Sequence, residues 1–422
     1  MLKLFALALF LCTYILMISL PKYRPWVALG SAALFLLSGI VPLGEAFGAV
    51  DWNVLMMLTG TMGTVSLFID SKMPNRLAEA ILSVTPNVMW VVVAMSLFAG
   101  IVSAFIDNVA TVLMIAPVGL AIAKKLNISP VPMIISIAVS SNLQGAATLV
   151  GDTTSIMLGG YADMDFLDFF FMNGRPSIFW AVELGALATI PVILFLFRDQ
   201  RDPVDIQDKT EVRDFFPTVL LVGTVVLLIA ASFVPEKPAV TNGIICLAVF
   251  AVGAVRALFI SGWEKVEHAL AEIDYQTLLL LGGLFIVIAG VTEAGIIDDI
   301  SALFVRLGGD NLFLLYTVIV WGSVLISAFV DNIPYVATML PVVSSIAGTL
   351  GIDPTVLYFG LLTGATLGGN LTPIGASANI AGIGILRKEG YEVGAKDFFR
   401  IGVPFTLCAV LMGYLYCWFI WR

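Results

Sequence analysis

The chain has 422 residues, of which 59% are hydrophobic and only 12% charged, where a soluble globular domain carries about 25% charged residues. That composition belongs to a polytopic, all-α integral membrane protein with the lipid bilayer as its solvent. The net charge of −9, with no basic patch interleaved with aromatics, excludes nucleic acid as a partner. Cys12, Cys246, Cys408 and Cys417 all lie in apolar runs with no CxxC spacing, which argues against a disulfide framework. His268 is the one histidine and falls in what reads as a polar loop, so no metal centre and no cofactor are expected.

A helix needs about 20 apolar residues to span a membrane. Residues 4–20, 27–43 and 53–69 meet that test. The first run resembles a signal peptide, but Pro21-Lys22-Tyr23-Arg24-Pro25 follows it in place of a small-residue cleavage site, so it is read as the first span. Residues 75–84 form a short amphipathic piece suited to the interface. The run 88–126 is interrupted only by Asp107-Asn108, and 132–161 is apolar but rich in small and polar residues. A segment of the second kind reads as a broken helix lining a cavity. A span over 178–197 closes the first half, and Arg198–Asp214 is the only long charged stretch.

The second half repeats the plan. Spans are expected over 217–234, 240–257 and 276–291, then a connector at 297–307. The run 312–350 is interrupted by Asp331-Asn332, a second broken segment covers 356–386, and the last span is 401–421. SAFIDNVATVLMIAP at 103–117 matches SAFVDNIPYVATMLP at 327–341. Asp107 and Asp331, Gly145 and Gly369, Thr148 and Thr372, and Gly151 and Gly375 all differ by 224 positions (331 − 107 = 224). Asp51-Trp52 and Asp274-Tyr275 differ by 223. A constant offset that keeps Asp, Thr and Gly together marks an internal duplication: 1–198 as the first repeat, 199–216 as a cytoplasmic linker and 217–422 as the second repeat.

Each repeat is expected to hold about five spans, one re-entrant hairpin with Asp-Asn at its tip, and one broken helix. Five crossings are odd, so the second repeat is inverted. Sorting the 21 Lys and Arg residues by side puts 16 on one face and 5 on the other, which makes the first face cytoplasmic. Arg24, Lys72, Arg76 and Lys265 fall on that face and Lys237 on the other. Both termini then lie outside, hairpin one enters from the cytoplasm and hairpin two from outside. A prokaryotic inner membrane is the expected location.

An acid inside an apolar run is costly and marks a partner or a task. Asp107 and Asp331 are therefore candidates, with the plainer alternative that each caps a helix. Asn108 and Asn332 can donate and accept. The first broken helix adds Asn142, Thr148, Asp152, Thr153, Thr154 and Ser155, and the second adds Asn370, Thr372 and Asn379. Asp152 has Ala376 at its equivalent position, an asymmetry that suits an ion site on one side only. Burial disfavours the charged form of a carboxylate, so a buried acid can carry a proton. Glu183, inside a span, is read as interfacial or helix-pairing. The arginines at loop ends are read as topology signals and not ligands.

The two SAF-(I/V)-DN stretches, with GAATLVGD and GGNLTPIGASANIAG, resemble the ion-transporter superfamily over most of the chain, nearest to arsenite permeases, NhaD-type sodium/proton antiporters and the melanosomal P protein. The resemblance implies a dimer-forming scaffold domain, a transport domain with two re-entrant hairpins, and an elevator movement. It implies a secondary active transporter of a small inorganic ion or anion, coupled to a proton or sodium gradient, with sodium as the only metal handled. Dicarboxylate and citrate carriers of the superfamily have Ser-Asn-Thr tips; the tips here are Ile106-Asp107-Asn108 and Val330-Asp331-Asn332. An organic anion carrier and a passive channel are the alternatives. An intramembrane aspartyl protease is a remote one, since neither aspartate has a Tyr-Asp or Gly-x-Gly-Asp setting. No P-loop is present, so ATP-driven pumping would need a separate ATPase subunit.

Overall fold

The computed structural model describes residues 2–126, 128–204, 210–212, 214–309 and 311–422. Six of the 18 linker residues, 205–209 and 213, lie outside the described residues, Lys209 and Arg213 of the charge count among them. The first half folds as α1 (Leu2–Ser19), α2 (Arg24–Leu37), α3 (Ala46–Ala49), α4 (Trp52–Asp70), α5 (Met73–Leu82), α6 (Val88–Ser103), α7 (Asn108–Lys125), α8 (Val131–Gly145), α9 (Thr153–Tyr161) and α10 (Ile178–Leu196). The second half supplies α11 (Phe216–Ser232), α12 (Thr241–Ser261), α13 (Trp263–Ala271), α14 (Tyr275–Glu293), α15 (Ile296–Gly308), α16 (Leu312–Ser327), α17 (Asn332–Leu350), α18 (Thr355–Gly368), α19 (Ser377–Lys388) and α20 (Ala395–Trp421). Among the described residues eight helices are long and apolar enough to cross a membrane: α1, α4, α7, α10, α12, α14, α17 and α20.

Helix starts recur between the halves because their caps do. Asp51 accepts from Val54 N at 3.1 Å, and Asp274, 223 residues on, from Thr277 N at 3.1 Å. Asn87 accepts from Trp90 N at 3.2 Å, and Asn311, 224 on, from Leu314 N at 3.1 Å. Asp107 accepts from Val109 N and Ala110 N at 3.0 and 3.1 Å, and Asp331, 224 on, from Ile333 N at 3.0 Å. A side-chain oxygen at the N-cap satisfies an amide that has no partner within the helix, so each of these residues sets where its helix begins.

Some boundaries differ from the expected spans. α2 stops at Leu37 and not at residue 43, because Gly39 takes φ +72° and turns the chain out of the helix. α20 begins at Ala395, six residues before the apolar run, since Asp397 accepts from Gly394 N at 3.1 Å and starts the helix in polar sequence. The loop after α9 holds a two-residue hairpin, β1 (Phe171–Met172) against β2 (Arg175–Pro176). Asn173 and Gly174 turn it with φ of +52° and +74°, the pair that a tight hairpin turn favours.

Packing sorts the helices into two groups. α4 lies against α12, and α2 against α14. A Cβ on Gly60 would sit 2.3 Å from the Cys246 carbonyl carbon, and one on Gly283 would sit 2.7 Å from that of Ala28. Only glycine permits these close crossings. In the other group α6 packs on α8, α16 on α18 and α10 on α20. The deepest core lies there: in α8 and α18 every residue from Met133 to Gly145 and from Val356 to Gly368 is buried.

Candidate functional site

Both interrupted runs break at the Asp-Asn pair. α6 ends at Ser103 and α7 starts at Asn108; α16 ends at Ser327 and α17 starts at Asn332. The next helix of each half breaks opposite this turn, α8 into α9 and α18 into α19. Gly151 and Gly375 bring the strands of each break together. A Cβ on Gly151 would lie 2.5 Å from Gly145 O and 2.7 Å from Ala104 O; one on Gly375 would lie 2.6 Å from Gly369 O and 2.7 Å from Ala328 O. Beside them, the Thr148 hydroxyl donates to Ala104 O and the Thr372 hydroxyl to Ala328 O. These two threonines therefore brace the breaks and do not face open space.

The breaks meet through amides. Asn142 accepts from Asn108 Nδ2 at 3.0 Å and donates to Thr366 O at 2.7 Å and to Asn370 Oδ1 at 3.1 Å. Asn370 donates to Val139 O at 2.9 Å. Thr154 donates to Asp152 Oδ2 at 2.9 Å, which leaves Thr366 as donor in the 2.9 Å Thr154–Thr366 contact. Asn379 donates to Gly369 O and Thr372 O at 3.2 and 3.3 Å. Ser155 Oγ and Asn379 Oδ1, at equivalent positions (379 − 155 = 224), are buried without a partner among the described residues. The two halves are thus joined by a buried polar network whose members depend on one another.

On one side of this network opens a cavity of about 490 Å³. Its floor is made of Asp107, Asn108, Asp152, Thr153, Asn332 and Ser377. Asn108 and Asn332 are each 5% exposed and Asp152 4%. α4 contributes Thr61, Ser66 and Asp70, and the mouth carries His268, Glu272 and Asp274. His268 Nδ1 is 3.7 Å from Asp70 Oδ2, and its Nε2 is 3.9 Å from Glu272 Oε1. No lysine or arginine lines the cavity among the described residues. A second cavity, about 580 Å³, lies between the 159–165 and 232–242 segments and holds none of the expected site residues. Lys237 and Asp165, both in its wall, form an ion pair.

Of the thirteen expected site residues, five reach the first cavity: Asp107, Asn108, Asp152, Thr153 and Asn332. The others stand behind it. Asn142, Thr154 and Asn370 hold the network, Thr148 and Thr372 the braces, and Ser155 and Asn379 the start of α9 and α19. Asp331 turns to Arg24, whose Nη1 is 2.9 Å from Asp331 Oδ2. This corrects the reading of arginines as topology signals alone: Arg24 begins α2, and its guanidinium reaches the tip of the second hairpin. His268 likewise sits in α13 and not in a loop, at the cavity mouth. Ser377 was missed although it stands 224 positions after Thr153. Ser66, 4% exposed and without a partner among the described residues, left no signal in the sequence. Glu183 lies in α10, partly buried, away from the cavity.

The fold and site define a polytopic helical membrane protein of transporter type, with broken helices around an internal cavity. Residues 14–364 match the model of the citrate transporter family, CitMHS, and the chain belongs to that family, within the ion-transporter superfamily. It is 30% identical to an uncharacterized transporter of Mycobacterium tuberculosis over 98% of this chain and 97% of that one. It is 25% identical to the human P protein over 91% of this chain, and spans about half of that longer protein, 55% of its length. Among solved structures, the fold is similar to the YdaH transporter of Alcanivorax borkumensis, with a TM-score of 0.63, 12% identity, and coverage of 91% of this chain and 88% of that one. It is also similar to MtrF of Neisseria gonorrhoeae, with a TM-score of 0.56, 15% identity, and coverage of 92% and 84%.

Proposed function

We propose that this transporter is a secondary active carrier that moves a small inorganic ion or anion against a coupled proton or sodium flow. One observation carries the reading. Both Asp-Asn tips contribute to a single cavity, where Asn108 and Asn332 offer amides and Asp107 and Asp152 offer carboxylates. Carboxylate and amide oxygens are hard donors that suit sodium, and a buried carboxylate can instead take a proton. The amides suit an oxygen-rich neutral or anionic solute such as arsenite. On this reading Asn142, Thr148, Thr154, Ser155, Asn370, Thr372 and Asn379 hold the site in shape.

The mouth residues Asp70, His268, Glu272 and Asp274 all fall on the face assigned to the cytoplasm by positive charge. The cavity is then open to the inside, and the cavity lined by Asp165 and Lys237 faces outside. Alternation proceeds by an elevator step: α6–α10 with α16–α20 moves against a scaffold of α1, α2, α4, α11, α12 and α14. The repeats 1–198 and 217–422 are related by inversion, and the scaffold pairs two copies into a dimer in the inner membrane. The termini lie outside, and no cofactor or ATPase subunit is needed.

A second reading, an organic anion carrier, draws on the family's description as citrate transporters. The lining weighs against a free tricarboxylate, since among the described residues it presents acids and no lysine or arginine. Purified protein in proteoliposomes tests both. Radiolabelled arsenite, sodium and citrate are each offered under imposed pH and sodium gradients. Uptake of arsenite or sodium that follows a gradient is the expected result. Gradient-driven citrate uptake alone would replace the first reading with the second, and flux indifferent to either gradient would sink the coupled mechanism.

A further inference from the structure

The two tips are duplicates in sequence but not in charge. Around the first, Asp107 and Asp152 both line the cavity, and neither has a basic partner among the described residues. Around the second, Ala376 stands where Asp152 would be, and Asp331 meets Arg24 at 2.9 Å. The side chains of that pair are only 22% and 11% exposed. Arg24 is held against the end of α1, with Nε donating to Met17 O at 3.1 Å. Its place in the duplication follows from the glycine crossings. Gly283 meets Ala28 as Gly60 meets Cys246, an offset of 218 (246 − 28). The partner of Arg24 is then Asn242 (24 + 218), an uncharged residue. The cation was placed in one half only.

Resting on the coupled-transport reading, we propose that Arg24 is the counter-cation of the second tip in this inward-open arrangement, so that exchangeable cations bind here at the Asp107–Asp152 side alone. The tethered guanidinium fills the role at Asp331 that a sodium ion or a proton fills at the first tip. The remaining contacts of Asp331 are the Ile333 amide at 3.0 Å and the Ser377 hydroxyl at 3.5 Å, neither of which supplies a full charge. Removing one partner of a buried pair leaves an uncompensated charge that must be met. With Arg24 gone, Asp331 therefore recruits a proton or a sodium ion of its own. The titratable groups lining the neighbouring cavity are Asp70, Asp107, Asp152, His268, Glu272 and Asp274, and the substitutions below leave all six in place.

The test counts cations on purified full-length protein. Bound sodium-22 is measured by scintillation proximity, and protonated carboxyl by its infrared band at neutral pH. R24Q is expected to gain one cation per chain over the wild type, as sodium or as a protonated carboxyl. R24K keeps the wild-type count, and R24Q/D331N returns to it. A count in R24Q equal to the wild type on both arms overturns the proposal while leaving coupled transport standing. If R24Q does not fold, the neutral pair R24Q/D331N decides. A count unchanged from wild type supports the proposal, and a loss of one cation overturns it, because Asp331 would then have held an exchangeable ion. A wild type that binds sodium on neither arm and shows no protonated carboxyl overturns both the proposal and the reading beneath it.

Discussion

Thr148 and Thr372 each give their hydroxyl to a carbonyl 44 residues earlier, Ala104 and Ala328. The two bonds are the same bond made twice, 224 residues apart, and each ties a broken helix to the turn of its own hairpin. The acceptor carbonyls lie just past the ends of α6 and α16, where the last helical carbonyls lack partners.

Replacing Thr148 or Thr372 by valine keeps the shape and removes the donor. A buried carbonyl left without a partner costs about 1–3 kcal/mol, and each valine variant should unfold correspondingly earlier in detergent. T148S and T372S, which keep the hydroxyl, should recover most of the loss. Equal stability of the valine and serine variants would show that the brace is idle.

G151A and G375A test the close approach at the same breaks. A methyl at Gly151 would lie 2.5–2.7 Å from three backbone carbonyl oxygens, and one at Gly375 2.6–2.8 Å from three. Backbone cannot yield as a side-chain end can, and overpacking of this kind costs about 1–3 kcal/mol. Both variants should unfold earlier in detergent and show reduced flux. G30A, where a Cβ would meet nothing within 4 Å, should remain near wild type and serves as the control.

Asp107→Asn separates the two roles of that residue. Asparagine caps a helix about as well as aspartate, so the bonds to Val109 N and Ala110 N can persist and stability should fall by less than about 1 kcal/mol. The charge is gone, however, and gradient-driven flux in proteoliposomes should be lost. A folded D107N that still follows the gradient would reduce Asp107 to a cap.

Much of this architecture was legible in the sequence, because the rules that set it are local. Asp and Asn at 51, 87, 107, 274, 311 and 331 start helices through amides two or three residues away, and glycine and threonine break α8 and α18 where the apolar text thins. What escaped was decided by packing across the chain. Asn142 finds Asn370 over 228 residues, which no spacing announces. Arg24 reads as one more basic loop residue until α2 is placed beside the second hairpin. Ser377 was recoverable, since the 224 offset maps it onto Thr153; His268 was harder to place, because α13 is only nine residues long and four of them are charged or polar.

Asn142 is the residue on which the two halves depend most. Leucine at this position fills similar space but orphans the Asn108 amide donor, the Thr366 carbonyl and the Asn370 amide oxygen together. Each buried group left unpaired costs about 1–3 kcal/mol, so N142L should be among the most destabilising single changes in the protein. Limited proteolysis and detergent melting of N142L against N53L check this, since Asn53 sits at the α4–α12 crossing, where its oxygen accepts one amide bond, from Gly243 N. A milder effect of N142L than of N53L would contradict the network's central role.

The linker end offers a pH test outside the membrane. Asp214 receives Arg256 Nη1 and Nη2 at 2.6 and 3.1 Å and caps Phe216 N at 3.0 Å, while the same guanidinium lies 4.3 Å from the Phe216 ring centre. The Arg256 bonds hold the Asp214 carboxyl below its usual range against the opposing effect of burial. The folded protein therefore binds this proton more weakly than the unfolded chain. Its stabilising contribution is complete above the unfolded carboxyl pKa of about 3.9 and is lost as pH falls through the lower, folded value. Both side chains are about one-third exposed, and a pair so placed contributes no more than about 1 kcal/mol. The melting difference between wild type and D214N should stay constant from neutral pH to about pH 5, narrow below about pH 4, and shrink in high salt. A difference that widens on acidification would mean that Asp214 is protonated in the folded state, and that its tie to Arg256 does not anchor the start of α11.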